Sequence, residues 1–159
     1  ASDVYKRQIL NLVREAATEL LRDHEIQSEV WSVTSYGELR RIGMEHERKK
    51  RLDPGEESKP YVSECFGDET PTVATSDYIS SVPEMIQRWI GGRYIVLGTD
   101  GFGRSDTREA LRSFFEIDTN SIVVAAISAL EQEGTLPSGT VEKELRNRNL
   151  NRERMDKTE

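Results

Sequence analysis

The stretch GTDGFGRSD at residues 98–106 has the residue types and spacing best suited to chemistry, because two glycines separate an apolar run from a helical pattern. A strand, a glycine-rich turn and the amino terminus of a helix commonly form a cradle for a phosphate group, which the exposed amides and the helix dipole stabilise. Gly101 and Gly103 could therefore begin a dinucleotide-binding fingerprint. That fingerprint requires a third glycine three residues after the second.

Two acidic residues argue against a phosphate at this turn. Asp106 stands where the third glycine should be, and its carboxylate would repel a pyrophosphate at the helix amino terminus. The acid that binds a ribose should follow a second strand, whereas Asp118 precedes the next apolar run. Asp106 and Glu109 instead have the spacing of a capping box. These residues favour a loop that turns the chain, and we expect Phe102 to bury its ring against this domain or a partner.

The single cysteine, Cys65, leaves no second thiol for an internal disulfide and indicates a reducing compartment. A cysteine becomes a nucleophile when its environment favours the thiolate, but neither His24 nor His46 stands in a recognisable relation to it. The two histidines and the cysteine also lack any metal-binding spacing. We therefore expect Cys65 to be a plain buried thiol.

The composition is that of one acidic domain. The 159 residues include 29 acidic and 22 basic side chains, which gives a net charge of −7, and 35% of them are hydrophobic. This balance argues against a general nucleic-acid or membrane surface. Two basic runs, HERKKR at 46–51 and RNRNLNRER at 146–154, are interpreted as solvated helix faces or tail. With no apolar run of roughly 20 residues and no signal peptide, we expect a cytoplasmic protein that binds neither nucleic acid nor membrane.

Apolar residues at helical spacing predict a first amphipathic helix from Ile9 to about Asp23. Its apolar face comprises Ile9, Leu12, Val13, Ala16, Leu20 and Leu21. Residues 1–8, ASDVYKRQ, are predicted to be a non-native leader, and we exclude them from the domain.

Strand and helix patterns alternate after this helix, which predicts an α/β domain with a mostly parallel sheet. In chain order the elements are a strand at 28–35, helices at 36–52 and 61–66, a strand at 71–76, a helix at 77–90, a strand at 93–98, helices at 107–117 and 119–134, and a last helix from about residue 139. Trp31 and Trp89 are expected in the core. Three strands are too few for a doubly wound sheet, and no strand precedes the first helix.

Four segments carry a more specific signature than a glycine pair. They are LGTDGFGRSDTREALRSFFEID at 97–118, VWSVTSYGEL at 30–39, TSDYISSVPEMIQRWI at 75–90 and SIVVAAISALEQEG at 121–134. Together they resemble the C-terminal domain of the homodimeric-type pyruvate dehydrogenase family, the decarboxylating first component of the pyruvate dehydrogenase complex. The resemblance covers roughly residues 9–150.

This resemblance implies the fold of a transketolase C-terminal domain. That fold is a three-layer α/β sandwich with a five-stranded, mostly parallel sheet in which one strand is antiparallel. The family has its first strand where residues 1–8 stand, so we expect that strand to be missing here. The implied domain is residues 9–150, and residues 151–159 form a charged tail.

The resemblance also implies a function for the whole enzyme. Such an enzyme is a homodimer that uses thiamine diphosphate and Mg²⁺ to decarboxylate pyruvate, and it transfers the acetyl unit to the lipoyl group of the dihydrolipoyl acetyltransferase component. The cofactor and the metal are bound by domains that this sequence does not contain. We therefore assign no catalytic, cofactor-binding or metal-binding residue, and we expect the isolated fragment to be inactive.

The glycine-rich loop then has a structural role by implication, since the family's C-terminal domain packs beside the active sites and supports the dimer. The expected contact residues are Asp100, Gly101, Phe102, Gly103, Arg104 and Ser105. Arg104 could pair with a carboxylate of a neighbouring domain, because a guanidinium suits bidentate contact, or it could be solvated.

Two other classes of function remain open from the residues alone. The chain could be a self-standing nucleotide-binding α/β module, which would have to bind NAD or another nucleotide measurably. It could also be a non-catalytic interaction module. A complete reading frame would discriminate them, because only the enzyme requires two further α/β domains upstream.

Overall fold

A computed structural model describes the backbone of residues 2–99 and 117–150, and the side chains of residues 8–99 and 117–150. In chain order the elements are α1 (Ser2–His24), α2 (Tyr36–Leu52), α3 (Tyr61–Phe66), β1 (Thr72–Thr75), α4 (Ser81–Glu84), a 3₁₀ turn (Gln87–Trp89), β2 (Tyr94–Leu97), α5 (Thr119–Gln132) and α6 (Thr140–Asn147). Within these ranges no helix has the length and apolar character that crossing a membrane requires.

The two strands pair in parallel, with Thr72 opposite Tyr94 and Thr75 opposite Leu97. Because side chains alternate along a strand, the pair has two distinct faces. Val73 and Leu97 pack on one face against a core from α1 and α5. Tyr94 lies on the other face, where it packs against a second core around Trp89. The described part is therefore a three-layer α/β arrangement, which confirms the predicted class with a two-stranded parallel sheet in the described ranges.

The first core joins α1 to α5. Its buried members are Ala16, Leu20, Ile122, Val123 and Ile127. The stretch at 119–134 forms a helix despite its β-branched residues, since Asp118 caps it by accepting a hydrogen bond from the Ser121 amide at 2.8 Å.

Leu21 corrects the predicted apolar face of α1, because its side chain is 52% exposed. Each residue advances about 100° around a helix, so Leu21 lies well away from the stripe centred on Ala16 and Leu20. The helix itself also begins at Ser2, earlier than the predicted Ile9. That residues 1–8 are a non-native leader stays a prediction.

The second core packs α2, α3 and the segment 81–89 against the other face of the sheet. Its buried side chains are Val62, Ile86 and Trp89, so the core position predicted for Trp89 is confirmed. The Tyr94 hydroxyl donates to the Pro83 carbonyl at 2.8 Å. Burial raises the pKa of the Tyr94 phenol, which therefore stays protonated.

Residues 28–35 do not form the predicted strand. The segment is β-branched and aromatic, but a strand also needs a neighbouring backbone, and neither β1 nor β2 pairs with it. Trp31 is 49% exposed and packs edge-on against Phe66 with ring centroids 5.1 Å apart. The prediction that Trp31 is a core residue was therefore wrong.

The single helix predicted at 77–90 is also wrong. The structure has only the short helix α4 and a 3₁₀ turn in this range. Pro83 lies inside α4, where it has no amide hydrogen to donate and its ring crowds the preceding turn. A long regular helix through this position is therefore disfavoured.

A buried polar network fastens α6 to α1 and α5. Glu144 is 6% exposed, and its two oxygens lie 2.8 Å from His24 Nε2 and 2.9 Å from Arg148 Nε. Nη1 of Arg148 donates to Glu19 at 2.6 Å and to the side-chain oxygen of Asn120 at 2.8 Å. Each charge has an opposite partner, which is the condition under which buried ions are tolerated.

Glu131 of α5 caps the amino terminus of α6. Helix α6 begins after Gly139, which has no side chain to cap it. The Glu131 carboxylate instead accepts hydrogen bonds from the amides of Val141 at 2.7 Å and Gly139 at 3.0 Å. These backbone hydrogen bonds lower the pKa of Glu131 below its ordinary value of 4.5, since they stabilise the ionised form.

This cap predicts a pH dependence of stability. A carboxyl group with a lowered pKa in the folded state contributes fully above its unfolded pKa, near 4.5, and the contribution is lost as the pH falls through the folded pKa. Replacing Glu131 by Gln should therefore destabilise the chain at neutral pH, and the difference from the parent should shrink in acid. Urea unfolding at several pH values measures this difference. Glu133→Gln is the control, because its side chain makes no hydrogen bond to another described residue.

Candidate functional site

The region that carries the predicted loop is the carboxyl edge of the sheet. Strands β1 and β2 are parallel, so both end at this edge, which is where α/β domains place their functional loops. After β1 the chain continues through residues 76–80, and after β2 it continues through Gly98 and Thr99 into the loop.

Backbone hydrogen bonds hold together the two segments that follow β1 and β2. The Ser76 amide donates to the Leu97 carbonyl at 3.0 Å, and the Thr99 amide donates to the Tyr78 carbonyl at 2.9 Å. The hydroxyl of Thr99 also donates to the Asp77 carbonyl at 2.9 Å. The side-chain oxygen of Ser76 accepts from the Tyr78 amide at 3.0 Å. The start of the loop is therefore fixed in position.

Gly98 allows this close approach. A Cβ at this position would lie 2.7 Å from the Ser80 amide nitrogen and 2.9 Å from the Tyr78 carbonyl oxygen. Both are backbone atoms, which cannot move aside as a flexible side chain could. A side chain at residue 98 would therefore push the segment after β2 away from the segment after β1.

This edge of the sheet exposes apolar surface close to where Gly98 and Thr99 begin the loop. Tyr78 is 58% exposed and Ile79 is 53% exposed. Neighbouring large apolar side chains that are open to solvent mark a surface suited to protein contact. The Thr75 hydroxyl oxygen at the end of β1 is buried and finds no hydrogen-bond partner among the described residues. The arrangement suits packing against a further surface, because the exposed side chains are apolar and the backbone of the two segments is held by its own hydrogen bonds.

The predicted contact residues themselves lie outside the described residues. They are Asp100, Gly101, Phe102, Gly103, Arg104 and Ser105. The capping pair Asp106 and Glu109, and most of the helix predicted at 107–117, also lie there. Their roles stay predictions. Tyr78 and Ile79 were missed, because a helix through 77–90 would have placed them on a regular face.

The cysteine and the two histidines lie away from this edge of the sheet. Cys65 is half-buried and free, so it is less enclosed than predicted. His24 is held by Glu144, and His46 lies 3.0 Å from the Ser58 hydroxyl. In the part of the chain that the structure describes, no three side chains of the His, Cys, Asp and Glu types are grouped so that they could hold a metal ion.

Comparison with known proteins gives a consistent assignment. Residues 8–118 match the model of the transketolase-like TK C-terminal domain. Among curated proteins, the chain is 48% identical to the pyruvate dehydrogenase E1 component of Pseudomonas aeruginosa over 131 residues, which is 80% of this chain and 15% of that protein. It is 44% identical to the Escherichia coli K12 protein of that name over 135 residues, or 84% of this chain and 15% of the relative.

A third relative extends the match along the chain. The pyruvate dehydrogenase E1 component of Haemophilus influenzae is 41% identical over 150 residues, which is 93% of this chain and 17% of that protein. The chain thus spans about one sixth of the length of the relatives it matches. With a parallel α/β sandwich and a family match that covers most of its length, the chain belongs to the transketolase-like C-terminal domain family.

Proposed function

We propose that this chain acts as the C-terminal domain of a thiamine-diphosphate-dependent pyruvate dehydrogenase. The observation that carries the proposal is the agreement of three relatives, 41–48% identical over most of this chain, each of which is a pyruvate dehydrogenase E1 component. The whole enzyme would decarboxylate pyruvate and pass the acetyl unit to the lipoyl group of a dihydrolipoyl acetyltransferase component. The chain would work as a homodimer in the cytoplasm.

In this proposal, the cofactor is bound by residues other than those that the structure describes. Thiamine diphosphate supplies the electron sink for the decarboxylation when it is bound, and Mg²⁺ needs oxygen ligands grouped around it. The described side chains provide no such group, so they do not fit the metal. We therefore assign no chemical step to a described residue of this chain.

The domain's own role is to pack against neighbouring domains or the second subunit. Two observations support this role. Backbone hydrogen bonds hold together the segments that follow β1 and β2, and Tyr78 and Ile79 expose apolar surface beside these segments. A rigid start suits a loop that makes a defined contact, because less conformational entropy is lost when the contact forms. We propose that residues 100–105 make this contact together with that apolar surface.

A double substitution, Phe102→Ala with Arg104→Ala, tests this role in the full-length enzyme. We expect the dimer dissociation constant to rise at least about tenfold, since buried aromatic and arginine side chains contribute most to interfaces, and we expect pyruvate turnover to fall with it. Sedimentation equilibrium and a turnover assay give the two readouts.

Arg93→Ala is the matched control for this test. Arg93 is an exposed arginine at the amino end of β2, on the opposite edge of the sheet from the loop. We expect this variant to dimerise and turn over like the parent enzyme. Unchanged dimerisation and turnover in the double variant would exclude the proposed contact.

A further inference from the structure

Thr99 joins the two segments that follow β1 and β2 through its side chain as well as through its backbone. Its amide donates to the Tyr78 carbonyl at 2.9 Å, and its hydroxyl donates to the adjacent Asp77 carbonyl at 2.9 Å. One residue therefore holds two successive carbonyl groups of the opposite segment. Because Thr99 directly precedes residues 100–105, this double contact lies at the point where the loop begins.

Tyr78 is held at both of its backbone polar groups. Its amide donates to the Ser76 hydroxyl oxygen at 3.0 Å, and its carbonyl accepts from the Thr99 amide. Ser76 is only 7% exposed, so water has little access to the first of these bonds. Tyr78 is nevertheless largely exposed. A fixed backbone that presents an exposed apolar side chain suits a surface prepared for contact.

The hydroxyl of Thr99 is the part of this contact that depends on the amino-acid type. Every residue except proline has an amide that could bond to the Tyr78 carbonyl, whereas a hydroxyl at this position requires threonine or serine. Valine has the same branched shape as threonine without the hydroxyl. The bond to Asp77 can therefore be removed while the backbone contact is kept.

We propose that Thr99 is a positioning residue for the contact that residues 100–105 make with the second subunit. The inference rests on the proposed function, since it concerns the same contact. The Thr99 hydroxyl holds the start of the loop against the segment that presents Tyr78 and Ile79, so the loop and the apolar surface meet the partner as one unit. Ordering them in advance lowers the conformational entropy that is lost when the contact forms.

The test compares Thr99→Val with Thr99→Ser in the full-length enzyme, and sedimentation equilibrium gives the dimer dissociation constant. We expect Thr99→Val to raise this constant about fivefold, the order expected when one or two residues must be ordered on binding. Serine restores the hydroxyl, so Thr99→Ser should dimerise like the parent. Circular dichroism confirms that each variant is folded.

Glu131→Gln is the control for a general loss of stability. The Glu131 carboxylate bonds to the amides of Gly139 and Val141 at the start of α6, so its replacement should destabilise the chain at neutral pH without changing the contact of Thr99 with Asp77. If Thr99 had a purely structural role, the dimer dissociation constant would follow the free energy of unfolding in both variants. A positioning role predicts that Thr99→Val weakens the dimer and that Glu131→Gln does not.

Three results would overturn the proposal. They are an unchanged dimer dissociation constant in Thr99→Val, equal weakening by Thr99→Val and Thr99→Ser, and equal weakening by Thr99→Val and Glu131→Gln. The variant Phe102→Ala with Arg104→Ala separates this failure from that of the proposed contact. If that variant weakens the dimer and Thr99→Val does not, the contact stands and the positioning role of Thr99 is wrong. If neither weakens the dimer, both are wrong.

Discussion

Replacing Arg148 by methionine should lower the free energy of unfolding by about 3 kcal/mol, the cost of breaking a buried ion pair by removing one partner. Its side chain is 11% exposed and joins Glu144, Glu19 and Asn120 through three short hydrogen bonds. Methionine replaces the aliphatic part of the side chain but leaves Glu144 buried with His24 as its remaining partner. Urea unfolding followed by circular dichroism measures the loss.

The same helix offers a matched control. Arg146 pairs with Glu142 at 2.7 Å with the same spacing of four residues that joins Glu144 to Arg148, but its side chain is 77% exposed. Exposed pairs of this kind contribute little, because water and salt screen them. Arg146→Met should leave the free energy of unfolding unchanged within error. Equal losses for the two variants would mean that burial does not set the strength of the network.

Replacing Gly43 by alanine should destabilise the chain by about 1–3 kcal/mol, the usual cost of overpacking a core. Alanine normally stabilises the interior of a helix by about 1 kcal/mol relative to glycine, so the expected sign is reversed. The reason is Trp89: a Cβ at Gly43 would lie 2.5 Å from Cε2 of its indole. The ring cannot move without losing its hydrogen bond to Glu47 at 3.1 Å.

Gly37 in the same helix tests this explanation. A Cβ there would meet nothing within 4 Å, so Gly37→Ala should preserve or raise the stability. The Gly43→Ala substitution made together with Trp89→Phe should cost less than it does alone, since the smaller ring leaves room for the methyl group. That coupling is read from a double-mutant cycle of unfolding free energies. Stabilisation by Gly43→Ala in the parent would show that α2 and Trp89 are less tightly packed.

Periodicity and turn residues predicted most of the described elements. Helices α2, α3, α5 and α6 and both strands lie where their patterns placed them. These signals are local, since apolar spacing and capping residues act within a few residues of the chain. The α/β class followed from the order of the elements.

The failures concern interactions between distant parts of the chain. The segment 28–35 has strand-like residues, but pairing depends on a neighbouring backbone that composition cannot reveal. The contact of Gly43 with Trp89 and the network around Glu144 join residues far apart in sequence. The cap from Glu131 joins one helix to the start of the next. Nothing in the local patterns indicates these interactions. Gly43 is an example. Within a charged helix, the sequence indicates only that a glycine is a weak helix former, and it does not indicate the contact with Trp89.

For the candidate site, the sequence predicted the strand that leads into the loop, and this strand is confirmed as β2. Its carboxyl end continues through Gly98 and Thr99. The exposed apolar pair Tyr78 and Ile79 could not be predicted from the sequence. Its exposure depends on the hydrogen bonds that residues 76–80 make with the end of β2 and with Thr99. The roles of residues 100–105 remain proposals that rest on the family resemblance.

Pyruvate turnover by the full-length enzyme, loaded with thiamine diphosphate and Mg²⁺, tests the central claim most directly. The assay follows CO₂ release and acetyl transfer to a lipoylated acetyltransferase domain, with 2-oxoglutarate as the comparison substrate. We predict turnover of pyruvate well above that of 2-oxoglutarate, with acetyl transfer in step with CO₂ release. A folded, dimeric, cofactor-loaded enzyme that leaves pyruvate unchanged would contradict the proposed function.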